Sequence, residues 1–279
     1  MNSFTNPGLV RSLSAFAVGF FFAGLCMAEE MQQGGEGVVV VRRDAGSSML
    51  TGPLLPKEVG CRWEYQMSVQ DFSADLVRKP NGEVVLPEPK SFMGKRVTEM
   101  VGLRPLGDSE ELFACYANSI SGTVVSEEYN KVTDQEVLSW GIRSRVRKDG
   151  SWKEQVFDPP LQIMQADLRR GASWYARCAL SSDLVVTRRF DVLGEEPVKV
   201  EAGDYDAIKI RIVGGNSNGT LMKRYVWYVQ GIGHVKIHTV HYGKGQVIRV
   251  EIQELVSFVA GKRSSESQSD EDGEGESSS

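Results

Sequence analysis

Between residues 53 and 258 the chain alternates apolar and polar positions in short runs, the period expected of strands half-buried on one face. Twelve such runs stand out: 61–69, 95–104, 112–119, 123–129, 136–146, 152–157, 173–179, 184–193, 207–213, 221–229, 234–242 and 247–258. They are rich in Val, Ile, Tyr, Trp and Phe, the residues that pack well on a pleated surface. Turn signals separate neighbouring runs. Asn81-Gly82, Asp149-Gly150 and Asn218-Gly219 tolerate the positive φ of tight hairpins, and Ser121-Gly122 and Gly243-Lys244-Gly245 are weaker signals. The spacing predicts one short helix or linker, Leu161–Arg170, after Pro159-Pro160 and before Gly171.

A faint repeat runs through these strands. Gly60-Cys61-Arg62-Trp63-Glu64-Tyr65 recurs as Gly171-Ala172-Ser173-Trp174-Tyr175-Ala176, with Trp three residues after Gly in both. Gly102 precedes Phe113 by 11 residues, and Gly194 precedes Tyr205 by 11. Gly141-Ile142 and Gly231-Ile232 follow at similar distances. The first copy is longer by 19 residues between its Trp and second Gly, within the segment 71–91. The expectation is therefore an all-β protein of two similar antiparallel meander units, 53–157 and 160–258. Their apolar faces would close as a strongly bent sheet, half-barrel or sandwich, with at most one short helix between them.

Several of these residues have a local reading. Ala202-Gly203 suits a tight turn where a side chain would collide. Tyr225, Trp227 and Val229 fall on one side of a strand and Val226 and Tyr228 on the other, so the strand is apolar on both faces and central. Gly231 and Gly233 allow a sharp corner after it, and Trp63 and Trp174 plug the ends of the core. Val59-Gly60-x-x-Trp63-x-Tyr65, the segment Val200 to Ile210 around Gly203 and Tyr205, and Trp227 to Lys236 around Gly231 and Gly233 resemble, in that order, the TapB-like family of secreted bacterial proteins, which has no assigned reaction. The resemblance covers roughly residues 55–257, is best in the second half, and implies an all-β exported protein with no catalytic residue to carry over. A looser similarity, at the level of fold, is to the bent-sheet lipoprotein carriers of the LolA type.

The two ends of the chain differ from the middle. Residues 1–28 have the form of a signal peptide, with Arg11 before the apolar stretch Leu13–Leu25 and small residues at the cleavage point after Ala28. Leu25 before Cys26 departs from a lipoprotein signal, so simple export is expected, to the periplasm or beyond the cell, over anchoring at Cys26. Residues 29–52 read as a flexible N-terminus. Residues 262–279 (KRSSESQSDEDGEGESSS) hold no apolar side chain and read as a disordered acidic tail.

Charge and chemistry narrow the functions. The whole chain carries a net charge of −5, but residues 29–261 hold 29 bases and 31 acids, too balanced for a nucleic-acid binder. No apolar run after the leader is long enough to span a bilayer as a helix. Export leaves Cys61, Cys115 and Cys178, an odd number in an oxidising compartment; one disulfide with one thiol and three buried thiols are both open. The three histidines sit in His234–His241. His234 and His238 lie about 13 Å apart along a strand and His241 points the other way, so no metal site is expected. Lys236 and His238 read as the polar side of that strand, Val235 and Ile237 as the inner side.

No nucleophile elbow, zinc-protease motif, phosphate loop or paired carboxylate occurs, so no cofactor and no catalytic residue is expected. The function expected is that of an exported, non-enzymatic β protein binding a lipid or an envelope protein. The alternative is a structural or assembly component of the envelope, and the third reading is an enzyme with a site assembled from scattered residues. An apolar cavity of at least ~300 Å³ would favour the ligand; a filled core would favour the scaffold.

Overall fold

The computed structural model describes residues 53–72, 77–78, 84–85, 88–146 and 149–261. The expected signal peptide 1–28, the expected flexible N-terminus 29–52 and the expected acidic tail 262–279 lie outside them. Fourteen strands occur in the order β1 (Arg62–Asp71), β2 (Val77–Arg78), β3 (Val84–Val85), β4 (Lys90–Pro105), β5 (Leu112–Ile120), β6 (Thr123–Val132), β7 (Glu136–Arg145), β8 (Trp152–Gln165), β9 (Ser173–Ser181), β10 (Leu184–Val200), β11 (Gly203–Asn216), β12 (Leu221–Val229), β13 (Gly233–Gly243) and β14 (Gln246–Val259). Each of the twelve sequence-predicted runs lies largely within one strand. The alternation shows in the burial: Trp63, Tyr65, Met67 and Val69 of β1 are all buried, and so are Trp174, Ala176 and Cys178 of β9.

Twelve strands, β1 and β4 to β14, form one closed antiparallel barrel in which each strand pairs with the next, while β2 and β3 form a separate two-stranded sheet. Closure corrects the expected half-barrel or sandwich. β1 lies between β4 and β14, paired with both at every residue from Arg62 to Asp71, so no free edge remains there. The picture of two units also lacks support: the meander has no break near residues 157–160, and β8 runs across that boundary.

The short helix expected at 161–170 is absent. Leu161, Met164 and Leu168 are buried at spacings that mimic a helical face. Residues 161–165 instead continue β8, because the first half of β7 needs a partner: Glu136, Val137, Leu138 and Ser139 pair with Gln165, Met164, Gln162 and Leu161. No helix occurs among the described residues, so none is long and apolar enough to cross a bilayer; this is silent about crossing by strands.

Two corners of the barrel share one geometry. Gly60 (φ +86) donates its N–H to Met100 O at 2.8 Å, and Met100 N–H returns to Cys61 O at 2.9 Å. Gly171 (φ +90) donates to Val192 O at 2.9 Å, and Val192 N–H returns to Ala172 O at 2.9 Å. In each case a bulge follows at a positive-φ glycine, Gly102 or Gly194.

At this end of the barrel the segment before β1 forms a plug. Leu54 is buried and its carbonyl accepts the Tyr228 hydroxyl; the Pro56 carbonyl accepts the Tyr116 hydroxyl at 2.8 Å, and Gly231 N–H donates to Pro53 O at 3.3 Å. The core continues from this plug down the lumen. A second cluster around Trp63, Ala207 and Trp227 sits beneath the β10–β11 hairpin, and a third holds Leu106, Phe113, Cys115 and Tyr129.

The wall has one thin seam. β8 and β9 pair at a single position, Asp158 with Ala179. Pro159 and Pro160 follow directly, and neither has an N–H to give to a ladder.

Candidate functional site

The lumen encloses a cavity of about 140 Å³ with two unlike ends. Near the plug the lining is apolar, with Leu54, Leu161, Phe190, Val226 and Tyr228 among it. The other part carries the polar groups, Arg96, Asn118, Glu128, Arg188, Arg224 and Gln253, beside the apolar Ile212 and Met222. Strand register explains the mixture. Arg224 of β12 pairs with Thr239 of β13, which pairs with Glu251 of β14, and Glu251 pairs with Val69 of β1. Directly paired residues share a face, so each inward position on one strand brings its neighbours inward too.

The polar groups are stitched into a network. Arg96 donates to Asn118 Oδ1 at 2.6 Å and to Gln253 Oε1 at 3.4 Å, and lies 3.6 Å from Glu128. The Asn118 amide donates to Glu128 at 3.1 Å, and the Thr98 hydroxyl donates to Asn118 at 2.7 Å. Gln253 donates to Glu251 at 2.5 Å, and Arg249 lies 3.4 Å from the same carboxylate. Arg224 donates to the Thr239 hydroxyl at 2.9 Å, and Arg188 donates to the carbonyls of Thr187 and Gly215, each at 3.2 Å.

Burial shifts these groups. Both Glu128 and Glu251 are pushed above the usual carboxylate range by desolvation, against the pull of nearby arginines. Arg224 falls to about 9 and Arg188 to about 10, again through burial first; for Arg224 the attraction of Glu251 and Glu128 opposes this and the repulsion of Arg188 and Arg96 adds to it. His234 and His241 fall to about 4, because burial and neighbouring arginines disfavour a further positive charge. Both imidazoles are therefore neutral at pH 7.

The sequence-singled residues lie as follows. Trp63 and Trp174 sit at the same end of the barrel, one at the start of β1 and one at the start of β9, not at opposite ends of the core. The Trp63 indole donates to Ile232 O, and Trp174 stacks on Phe190 at 4.7 Å with planes 4° apart. Tyr65 points into the lumen and its hydroxyl donates to His234 O at 3.0 Å. Gly203 has φ +143, and a Cβ there would meet nothing closer than Tyr205 Oη at 3.6 Å, so backbone conformation rather than crowding selects glycine. Tyr205 donates to Ala202 O at 3.2 Å. Gly231 (φ +78) and Gly233 (φ +100) flank the corner between β12 and β13. Trp227 and Tyr228 are both buried: Trp227 donates to Glu196 at 2.6 Å on the outer side, while Tyr228 faces the lumen.

Two readings need correction or resolution. His234 lines the cavity, because a bulge at Trp227/Tyr228 breaks the simple alternation around it. Cys61, Cys115 and Cys178 are free and buried, which settles the choice the sequence left open. The lumenal arginines passed unnoticed at the sequence level. Arg188 lines the cavity, while its chain neighbour Arg189 lies on the surface, bound to Asp191 at 2.8 Å.

Among the described residues no group of three His, Cys, Asp or Glu side chains could hold a metal ion. No family model matches the chain, and no curated protein matches it. The TapB-like resemblance therefore rests on its motifs alone. Two solved structures show a distant likeness. One is a proposed lipoprotein from Parabacteroides distasonis, 12% identical, with a TM-score of 0.41, covering 75% of this chain and 99% of that one. The other is a proposed exported protein with a YmcC-like fold from Bacteroides fragilis, also 12% identical with a TM-score of 0.41, covering 75% and 100%. A likeness at this level carries neither fold nor function from those proteins to this chain.

Proposed function

We propose that the protein is an exported, non-enzymatic β-barrel that holds a ligand in its lumen. The observation that carries this reading is a lumen left partly open between an apolar end and a polar end. A barrel of this kind can take an amphipathic molecule lengthwise. The cavity of about 140 Å³ is below the ~300 Å³ of a drug-sized site, so it suits a small head group or the end of a longer chain.

Against catalysis stands the state of the reactive groups. Burial pushes the Cys115 and Cys178 thiols up to about 11, far from a nucleophilic thiolate. Export rests on the form of residues 1–28. The small volume is the one observation that favours the second reading, an envelope scaffold with no small-molecule ligand.

Native mass spectrometry of protein taken from its own envelope separates the two. A stoichiometric small molecule, displaced on denaturation, is expected. A partner chain with an empty lumen, or a bare protein that accepts no amphiphile on titration, overturns the lumenal reading.

A further inference from the structure

The lumen carries more buried positive than negative charge. Three guanidinium groups, Arg96, Arg188 and Arg224, line the cavity with one carboxylate, Glu128. Just beyond them Arg249 faces Glu251, so four arginines share two carboxylates. Both carboxylates are biased by burial toward their neutral form, which widens the imbalance. The imbalance is one of charge. Each guanidinium also has polar contacts, and those of Arg188 are to the neutral carbonyl oxygens of Thr187 and Gly215, which do not cancel a charge. Taking such cations out of water costs several kcal/mol per ion unless an anion accompanies them.

The structure makes room for this cluster at some expense. Gly214 lies opposite Arg188, and a Cβ there would come within 2.9 Å of the Arg188 side chain and would also strike the backbone of β10. Arg224 is only 6% exposed and donates to the Thr239 hydroxyl. His241 faces the same arginines, and its Nε2 is buried with no hydrogen-bond partner among the described residues. The amide groups of Asn118 and Gln253 supply further polar lining.

From this arrangement we infer that the polar end of the lumen is an oxyanion-binding site, in which Arg188, Arg224 and Arg96 receive a carboxylate, sulfate or phosphate group. Guanidinium forks match the oxygens of such groups and hold them by charge-assisted hydrogen bonds. A cavity of about 140 Å³ has room for one small oxyanion in place of several waters. The inference rests on the lumenal reading above and gives its ligand a class: either a free oxyanion or an amphiphile whose anionic head reaches the arginines while its chain lies against Phe190, Val226 and Tyr228.

Calorimetric titration of the full chain tests it with four probes at equal ionic strength: inorganic phosphate, acetate, dodecyl phosphate and dodecanol. Binding of phosphate or acetate alone identifies a free-anion site. Binding of dodecyl phosphate at least tenfold tighter than dodecanol identifies an anionic head group. Either result should weaken tenfold or more in Arg224→Gln and in Arg188→Gln. Should a variant not fold, the wild-type melting temperature in phosphate against chloride replaces it, and a rise in phosphate is expected. Equal affinity for dodecyl phosphate and dodecanol, unchanged in the variants, overturns the oxyanion site and leaves the lumenal reading standing. Binding of none of the four overturns both.

Discussion

β1 and β9 begin at matching corners and then differ in their surroundings. Each follows a glycine near φ +90, each places a Trp three residues later on the lumen side, and each is fixed by the same reciprocal pair of backbone hydrogen bonds. β1 is then hydrogen-bonded along its whole length to β4 on one side and β14 on the other. β9 is paired to β10 from Ser173 to Ser181 but meets β8 at one residue. The difference traces to Pro159 and Pro160, which cannot donate to a ladder. A shared corner sets how a strand starts. Its neighbour's sequence decides whether it is held on both sides.

The largest test of this contrast is removal of the two indoles. Trp63→Ala should cost about 3–5 kcal/mol and Trp174→Ala a value nearer 3, because Trp63 is the more deeply buried and sits in a doubly paired strand. Equilibrium denaturation measures both, and a larger loss at Trp174 breaks the comparison. Acid should act next, on the β1 side. His234, whose carbonyl holds Tyr65, has a pKa pushed down to about 4 against an ordinary 6.5. The unfolded chain therefore takes up the proton first. The stability this histidine contributes is full above pH 6.5 and is lost as the pH falls toward 4, on the order of 1–3 kcal/mol. Glu128 and Glu251 work the other way, since a raised carboxyl favours the fold more as it gains its proton. A pH series on His234→Phe should show a shallower acid loss than the wild type, and an identical slope refutes the assignment.

Smaller effects sharpen the likeness of the corners. Gly60→Ala and Gly171→Ala should each cost about 1–2 kcal/mol from the positive φ alone, since nothing crowds a Cβ at either site. Unequal costs would mean the corners are less alike than their hydrogen bonds. The mildest probe leaves stability untouched. In residue-resolved hydrogen exchange, amides of β1 should be protected throughout, while the amides of Ser173–Cys178 that point toward β8 exchange faster than those pointing toward β10. Uniform protection along β9 would show a seam that is closed in solution.

Most of the wall was legible in the sequence, because alternation, aromatic content and glycine turns all report on local structure. Closure was not, since it depends on β1 meeting β14, a pairing between residues nearly 200 apart in the chain. The segment 161–170 misled for a different reason: apolar residues at 161, 164 and 168 fit a helix, and the demand of β7 for a partner makes 161–165 strand instead. The polar end of the lumen was the least legible part. Arg96, Arg188, Arg224 and Arg249 lie on four strands, each flanked by ordinary surface sequence. In a strand whose other face is also covered, the usual rule that charge marks the outside no longer applies. Arg224, between Met222 and Val226 on a strand already read as apolar on both faces, was the one available hint.

The three cysteines belong to three separate packing clusters, Cys178 in the lumen, Cys61 beside the Trp63 corner and Cys115 on the outer flank of the wall. No two of them are joined in the finished protein. All three are almost fully buried, so a thiol oxidant reaches none of them until the barrel opens, and their oxidation would report on unfolding.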